Sequence, residues 1–119
     1  MLKIELEFRK GILFVRLDGE LNKYTVNNFD EEVVPIILKH GIKRIVINLD
    51  RLNAIDINGI NRLINVNEIT RNLNGRTIIC SISSNEVKEK LKDKEYVSKF
   101  YETSNELTAL GVMKIWQKQ

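Results

Sequence analysis

Charged and apolar residues alternate where the chain begins. In LKIELEFR, Ile4, Leu6 and Phe8 stand between Lys3, Glu5, Glu7 and Arg9, the period-two pattern of a strand with one buried face. Lys10-Gly11 interrupts the pattern, and glycine's tolerance of positive φ suits a tight turn there. Ile12 to Leu17 continues as a more uniformly apolar run, so the two segments predict an antiparallel hairpin with the first strand at an edge. The period then changes. Val26, Phe29, Val33, Ile36 and Ile37 recur at helical spacing, with Asn22 or Thr25 placed to cap the start and Gly41 to mark the end. Pro35 falls inside that run. An interior proline loses a backbone hydrogen bond and costs ~3 kcal/mol, so a kink or a helix in two pieces is expected.

KRIVINLD reads as a third strand, and its unbroken Ile45-Val46-Ile47 as a central one. DRLNAID reads as the loop after it, and INGINRLINVNEITRNLNG as a second helix. Ile57, Ile60, Leu63 and Ile64 form an apolar arc on that helix, expected to face the sheet. Asn58, Asn61, Asn65, Glu68 and Asn72 form a polar stripe, with Val66, Ile69 and Leu73 as a second apolar arc beyond it. RTIICSI predicts a fourth strand, SNEVKEKLK a short third helix and KFYE a short fifth strand. Thr103-Ser104-Asn105-Glu106 fits a capping box, with Thr103 as the cap, before a last helix carrying Leu107, Leu110, Val112, Met113 and Trp116. The order β-β-α-β-α-β-α-(β)-α predicts an α/β domain with a mixed, mostly parallel sheet of four to five strands and about four helices.

Residues 1–119 are the size of one domain. Formal net charge is only +3, with Lys and Arg scattered among Asp and Glu, which argues against the clustered basic face of a nucleic-acid binder. The densest run, KEKLKDK from Lys88 to Lys94, alternates in sign and reads as a solvated helix face. The one cysteine, Cys80, lies in an apolar run and reads as a buried, inert thiol. Without a disulfide framework, a signal-peptide-like start or an apolar run of membrane-spanning length, the expectation is a cytoplasmic protein with no membrane insertion. No cluster of His, Cys or carboxylates has metal-ligand spacing, and no phosphate loop, nucleophile elbow or dinucleotide fingerprint is present. His40 is placed at a helix end, where a cation suits the dipole. The carboxylate pairs Glu31–Glu32 and Asp93–Glu95 fall on polar faces. The chain is therefore expected not to be an enzyme, with no catalytic residue, cofactor or metal.

Chemistry concentrates in AIDINGINRLI, Ala54 to Ile64. It joins the third strand to the second helix, beyond the carboxyl end of a parallel strand, where α/β proteins build their sites. Asn58 and Gly59 fall at the helix start, whose free N–H groups face outward. Together with LDGELNKYTVNNF (Leu17 to Phe29), RIVINLDRLNAIDINGINRLI (Arg44 to Ile64) and RTIICSIS (Arg76 to Ser83), this stretch resembles the STAS domain, specifically the bacterial anti-sigma factor antagonists. The resemblance covers nearly the whole chain in order and spacing.

The resemblance implies a regulatory binding module. Its partner would be an anti-sigma factor with a histidine-kinase-like ATP-binding fold, which phosphorylates the second serine of an Asp-Ser-Ser-Gly step. The unphosphorylated antagonist binds that partner and frees a sigma factor. Here Asp56 and Gly59 match the step, but Ile57 and Asn58 replace the serines. Asn58 has no hydroxyl, so the usual phosphate has no acceptor; its neutral amide resembles the unphosphorylated form, and it is also a good helix-start residue. The implied partner surface comprises Asn22, Lys23, Tyr24, Asp56, Ile57, Asn58, Gly59, Asn61 and Arg62. Thr25, Ser83 and Ser84 are nearby hydroxyls expected to act as caps. The alternative is a structural STAS subunit of a larger assembly, such as a stressosome-like scaffold or the cytoplasmic subunit of a lipid-transport ATPase complex.

Overall fold

The computed structural model describes residues 1–92 and 99–117. Strands β1 (Leu2–Arg9) and β2 (Ile12–Leu21) form the expected hairpin, paired antiparallel from Leu2↔Gly19 to Arg9↔Ile12. Lys10 at φ 55° and Gly11 at φ 79° close it, the two positive φ values that match a tight turn to the strands' twist. Helices α1 (Val26–Glu32) and α2 (Val34–His40) follow, then β3 (Arg44–Ile55), α3 (Ile57–Asn72), β4 (Arg76–Cys80), α4 (Asn85–Leu91), β5 (Tyr101–Thr103) and α5 (Glu106–Gln117). The sheet runs β1-β2-β3-β4-β5, with every pair after the first parallel.

That order never reverses, so right-handed crossovers carry their helices to one face. Leu13, Val15, Leu17, Ile45, Ile47, Leu49 and Ile79 point to that face and pack with α1 to α4. Ile12, Phe14, Val46, Ile78 and Cys80 point the other way and meet Ala109 and Met113 of α5. Burial on both faces is why β2 to β4 read as near-continuous apolar runs. Cys80 is fully buried, and burial pushes its thiol pKa up.

Pro35 divides the first helical run in two, as expected. It sits in the first turn of α2, where its missing N–H costs no internal bond. Gly41 ends α2 at φ 58°, with Lys39 and His40 in the last turn. The short fifth strand is present, beginning two residues later and ending one residue later than KFYE. Asp93, Lys94 and Glu95 lie outside the described residues.

Four expectations are corrected. DRLNAI is not a loop: β3 runs to Ile55 and pairs with the far end of β2, across register shifts between Arg16 and Asp18 and between Gly19 and Glu20. Gly19, whose Asp18-Gly19-Glu20 setting reads from sequence as a strand-to-loop turn, lies within β2 at one of these irregularities; its φ is 119° and a Cβ would stand 2.1 Å from the Met1 carbonyl oxygen. The two apolar arcs of α3 are one face. Gly59, Ile60, Leu63, Val66 and Thr70 are its buried positions, whereas Ile57 is half exposed. Finally, Asn105 and not Thr103 caps α5: its Oδ1 accepts from the Thr108 N–H at 2.8 Å, while the Thr103 hydroxyl donates to the Asn105 carbonyl. Glu106 turns instead to Arg16 and Asn48, accepting from Arg16 Nε at 2.8 Å and from Asn48 Nδ2 at 2.7 Å.

Candidate functional site

β2 and β3 end side by side, with Leu21 opposite Ile55. The residues that follow each strand are therefore neighbours although far apart in sequence. Asp56 joins them. Its N–H donates to the Leu21 carbonyl at 3.2 Å, and its extended backbone (φ −117°, ψ −176°) sets it as the N-cap of α3. One carboxylate oxygen accepts from the Gly59 N–H at 3.0 Å, a good cap bond. The other accepts from the Lys23 N–H at 3.0 Å, and the Asn58 side-chain amide approaches it at 3.5 Å. Partial burial works against the charge, but the N–H bonds from Gly59 and Lys23 outweigh it and hold the Asp56 carboxyl below the usual range.

The connection before α1 is folded on itself. The Asn22 Oδ1 accepts from the Tyr24 N–H at 2.9 Å. Buried Thr25 does not cap α1 with its side chain; its hydroxyl accepts from the Asn22 N–H at 2.9 Å and donates to the Glu20 carbonyl at 2.8 Å. This turn leaves Lys23 and Tyr24 outside, Tyr24 80% exposed with the Lys23 ammonium 5.0 Å from its ring centroid. Across the Asp56 bridge, Ile57 presents a half-exposed aliphatic group in the first turn of α3. Asn58 is half-buried, and Asn61 is exposed one turn on from Ile57.

Two of the predicted residues have other work. Gly59 is buried, and a Cβ there would stand 2.3 Å from the Leu21 carbonyl oxygen, so glycine is what lets α3 sit directly on the end of β2. Arg62 is half-buried, its Nε 2.8 Å from Asp30 Oδ2, and ties α3 to α1. Asp30 was missed because it lies 32 residues away with no local signal. Ser83 and Ser84 donate to the carbonyls of Asp50 and Asn53, pinning the connection after β4 to the distal half of β3, and Ser84 caps α4 by accepting from the Val87 N–H. The site thus combines a tyrosine, an aliphatic side chain, one cation, one anchored carboxylate and amide groups, without a nucleophile–base pair. Among the described residues no cluster of three or more His, Cys, Asp or Glu is placed to hold a metal, and no helix is long and apolar enough to cross a membrane.

Comparison with known proteins gives the same fold and a family. An anti-sigma F factor antagonist of Paenibacillus polymyxa is 27% identical over 82 residues, 69% of this chain and 70% of that one. The structure of an anti-sigma factor antagonist from Mycobacterium paratuberculosis matches with a TM-score of 0.84 at 14% identity, over 96% of this chain and 95% of that one. The anti-sigma factor antagonist SpoIIAA in its unphosphorylated form matches with a TM-score of 0.71 at 20% identity, over 94% of this chain and 98% of that one. At these identities the structural likeness is one of fold. The family model described as STAS domain matches residues 3–108, nearly the whole span from β1 into α5, and the chain belongs to the STAS domain family.

Proposed function

We propose that this protein is an anti-sigma factor antagonist that acts by binding. Its partner is an anti-sigma factor with a kinase-like ATP-binding fold, and binding releases a sigma factor. The docking surface is Lys23, Tyr24, Asp56, Ile57, Asn58 and Asn61, with Asn22 shaping its turn and Gly59 and Arg62 supporting it from beneath. The observation that carries this reading is the Asp56 bridge, which fixes an exposed tyrosine and an exposed isoleucine on either side of the α3 N-terminus. Exposed aromatic and aliphatic groups held on rigid backbone suit protein docking. The relatives named as anti-sigma factor antagonists support the kind of partner.

Asn58 supplies the regulatory half of the proposal. It stands at the expected phosphate-acceptor position and carries an amide, so this chain stays in its binding-competent form. A phosphate would add about −1.5 to −2 charges beside Asp56, and Asn58→Asp adds part of that charge. The test is a pull-down from extract with wild type and Asn58→Asp, with bound proteins identified by mass spectrometry. The expected result is an anti-sigma factor retained by wild type and at least tenfold less by Asn58→Asp, with both variants equally folded. Equal retention by the two moves the interface elsewhere. Capture of transporter or scaffold subunits in place of an anti-sigma factor favours the structural-subunit role, which a chain without a phosphate acceptor also suits.

A further inference from the structure

Three connections meet at the end of the sheet opposite Asp56. The register sets Arg9 opposite Ile12, Ile12 beside Arg44 and Arg44 beside Arg76, so the hairpin tip and the starts of β3 and β4 lie in one row. Helices α2 and α3 finish at the same end, in His40 and Asn72. Segments 8–12, 38–44 and 71–76 build this end. They carry Arg9 and Lys10 on the hairpin, Lys39, Lys43 and Arg44 around the entry to β3, and Arg71 and Arg76 around the entry to β4, seven cations and no carboxylate. The other twelve Lys and Arg stand among all sixteen Asp and Glu, which leaves the rest of the chain at −4. Cations scattered along the sequence are gathered by the fold, and the mild +3 of the whole chain hides a divided molecule.

Nothing within the protomer answers this charge. Among the described residues the cations in ion pairs are Arg16, Arg51, Arg62, Lys90 and Lys92, all outside the basic end. Glu7, near the hairpin tip, is held by Arg16, and exposed Glu68, almost a turn back from Arg71 on α3, forms no ion pair among the described residues. A helix C-terminus favours a cation, which accounts for Lys39 and Arg71. It does not account for the other five, whose mutual repulsion opposes folding. Apolar surface is exposed at the same end. Phe8 is 62% exposed near the end of β1, and a groove of about 600 Å³ opens beside it, lined by Leu13, Ile36 and Ile42 with Lys43 and Arg44.

We propose that this end adsorbs to a membrane surface rich in anionic phospholipid. The cations meet the headgroup phosphates, and Phe8 with the groove beside it meets the apolar boundary beneath them. This combination selects a bilayer over a nucleic acid. Duplex is read by a helix or strand laid in a groove, and single strands by bases stacked on aromatic platforms. Here α2 and α3 meet the end by their C-termini, and Phe8 is the single Phe, Tyr or Trp in the three segments. The acidic remainder of the chain is repelled by the same surface, so the molecule adsorbs in one orientation, with the Asp56 site turned away from the bilayer.

Co-sedimentation of the full chain with phospholipid vesicles tests this. Binding is expected to phosphatidylcholine mixed with phosphatidylglycerol and not to phosphatidylcholine alone, and it should weaken as salt rises from about 0.05 to about 0.5 M. A cation near such a surface is worth roughly fivefold in partitioning. Lys43→Glu should therefore lower binding at least about fivefold, with circular dichroism unchanged because the side chain is exposed. Lys3→Glu makes the same change at the other end of the hairpin and should stay within about twofold of wild type. Phe8→Ala should weaken binding by a similar factor at every salt concentration, since its share is apolar. Absence of binding to the anionic vesicles at low salt overturns the proposal, as does equal binding to phosphatidylcholine, a loss in Lys3→Glu as large as that in Lys43→Glu, or no loss in Phe8→Ala. Tighter retention on poly(U) or duplex DNA than on the anionic vesicles also overturns it and makes the basic end a nucleic-acid surface.

Discussion

An asparagine amide and a serine hydroxyl both serve at a helix start, but only the hydroxyl accepts a phosphoryl group. Asn58→Ser should therefore acquire one phosphate from a kinase-like anti-sigma factor and ATP, and lose partner affinity as it does so, while the wild type gains none at position 58. Intact-mass and peptide mapping read both. The other hydroxyls nearby are poor substitutes: Thr25 is buried, and Ser83 and Ser84 donate to carbonyls of β3. Stoichiometric phosphate on any of these in the wild type, with loss of binding, would defeat the idea of an unswitched antagonist. Glu106 offers a residue-scale test that is independent of function. The Arg16 hydrogen bonds, ahead of the opposing effect of partial burial, hold its carboxyl below the usual range, with the Asn48 amide assisting. A carboxylate depressed in the folded state stabilises the protein above its unfolded pKa, about 4.3 for Glu, and that stability is lost as pH falls through the folded value. The melting-temperature gap between wild type and Glu106→Gln should be full near neutral pH and narrow in acid below about pH 4. A gap that does not change with pH would mean that Glu106 acts through packing and not through its charge.

At the scale of elements, α3 shows how a site is positioned by what a residue lacks. Alanine is worth up to ~1 kcal/mol over glycine in a helix interior, but at position 59 its Cβ would stand 2.3 Å from the Leu21 carbonyl oxygen and 2.9 Å from the Ile55 side chain. Overpacking of this kind typically costs about 1–3 kcal/mol, so the clash wins. Gly59→Ala should lower the denaturant midpoint and, by tilting the α3 N-terminus off β2, weaken partner binding as well; a midpoint at or above wild type would show that α3 can shift freely. The same residue explains what the sequence hid. The hairpin, the division at Pro35 and the stop at Gly41 were legible, because each follows from a local rule of turn, proline or cap chemistry. The face of α3 was not: Gly59 and Thr70 occupy its centre, Thr70 through a buried hydroxyl bond to Thr77 at 2.8 Å, and neither counts as apolar in a periodic pattern. The second half of β3 was illegible for a related reason. Asp50, Arg51 and Asn53 are exposed and argue for loop, and only pairing with the far end of β2 makes a strand of them. Among the site residues, Asp56 was legible from the Asp-x-x-Gly step at the mouth of a helix, but its bond to the Lys23 N–H and the pairing of Arg62 with Asp30 depend on elements meeting across more than 30 residues of chain.

Across the whole molecule, the two ends of the sheet have different proposed partners. The crossover helices α1 to α4 fall on one face because the strand order never reverses, and α3 with its Asp56 cap belongs to that layer; among the described residues α5 covers the other. The link between the layers is the sheet itself, with Arg16 of β2 holding Glu106 at the start of α5 while pairing with Glu5 and Glu7 of β1. Substitutions at well-separated sites without shared partners combine additively, usually within about 0.3–0.5 kcal/mol. The Asp56 site and the basic end lie at opposite ends of β2, 10 residues or about 33 Å apart, several times the ~8 Å screening length at physiological ionic strength. Asn58→Asp should therefore weaken partner binding without changing adsorption to anionic vesicles, and Lys43→Glu should reduce adsorption without changing the affinity for the partner. The double variant should show both losses in full, in a double-mutant cycle of partner affinity measured with and without anionic vesicles. A coupling energy of about 1 kcal/mol or more would place the two ends in one cooperative unit. Without coupling, adsorption leaves the affinity of the docking surface unchanged and confines it to the bilayer, so its effect is one of effective concentration, raised for a partner held at the same bilayer and nil for one free in solution.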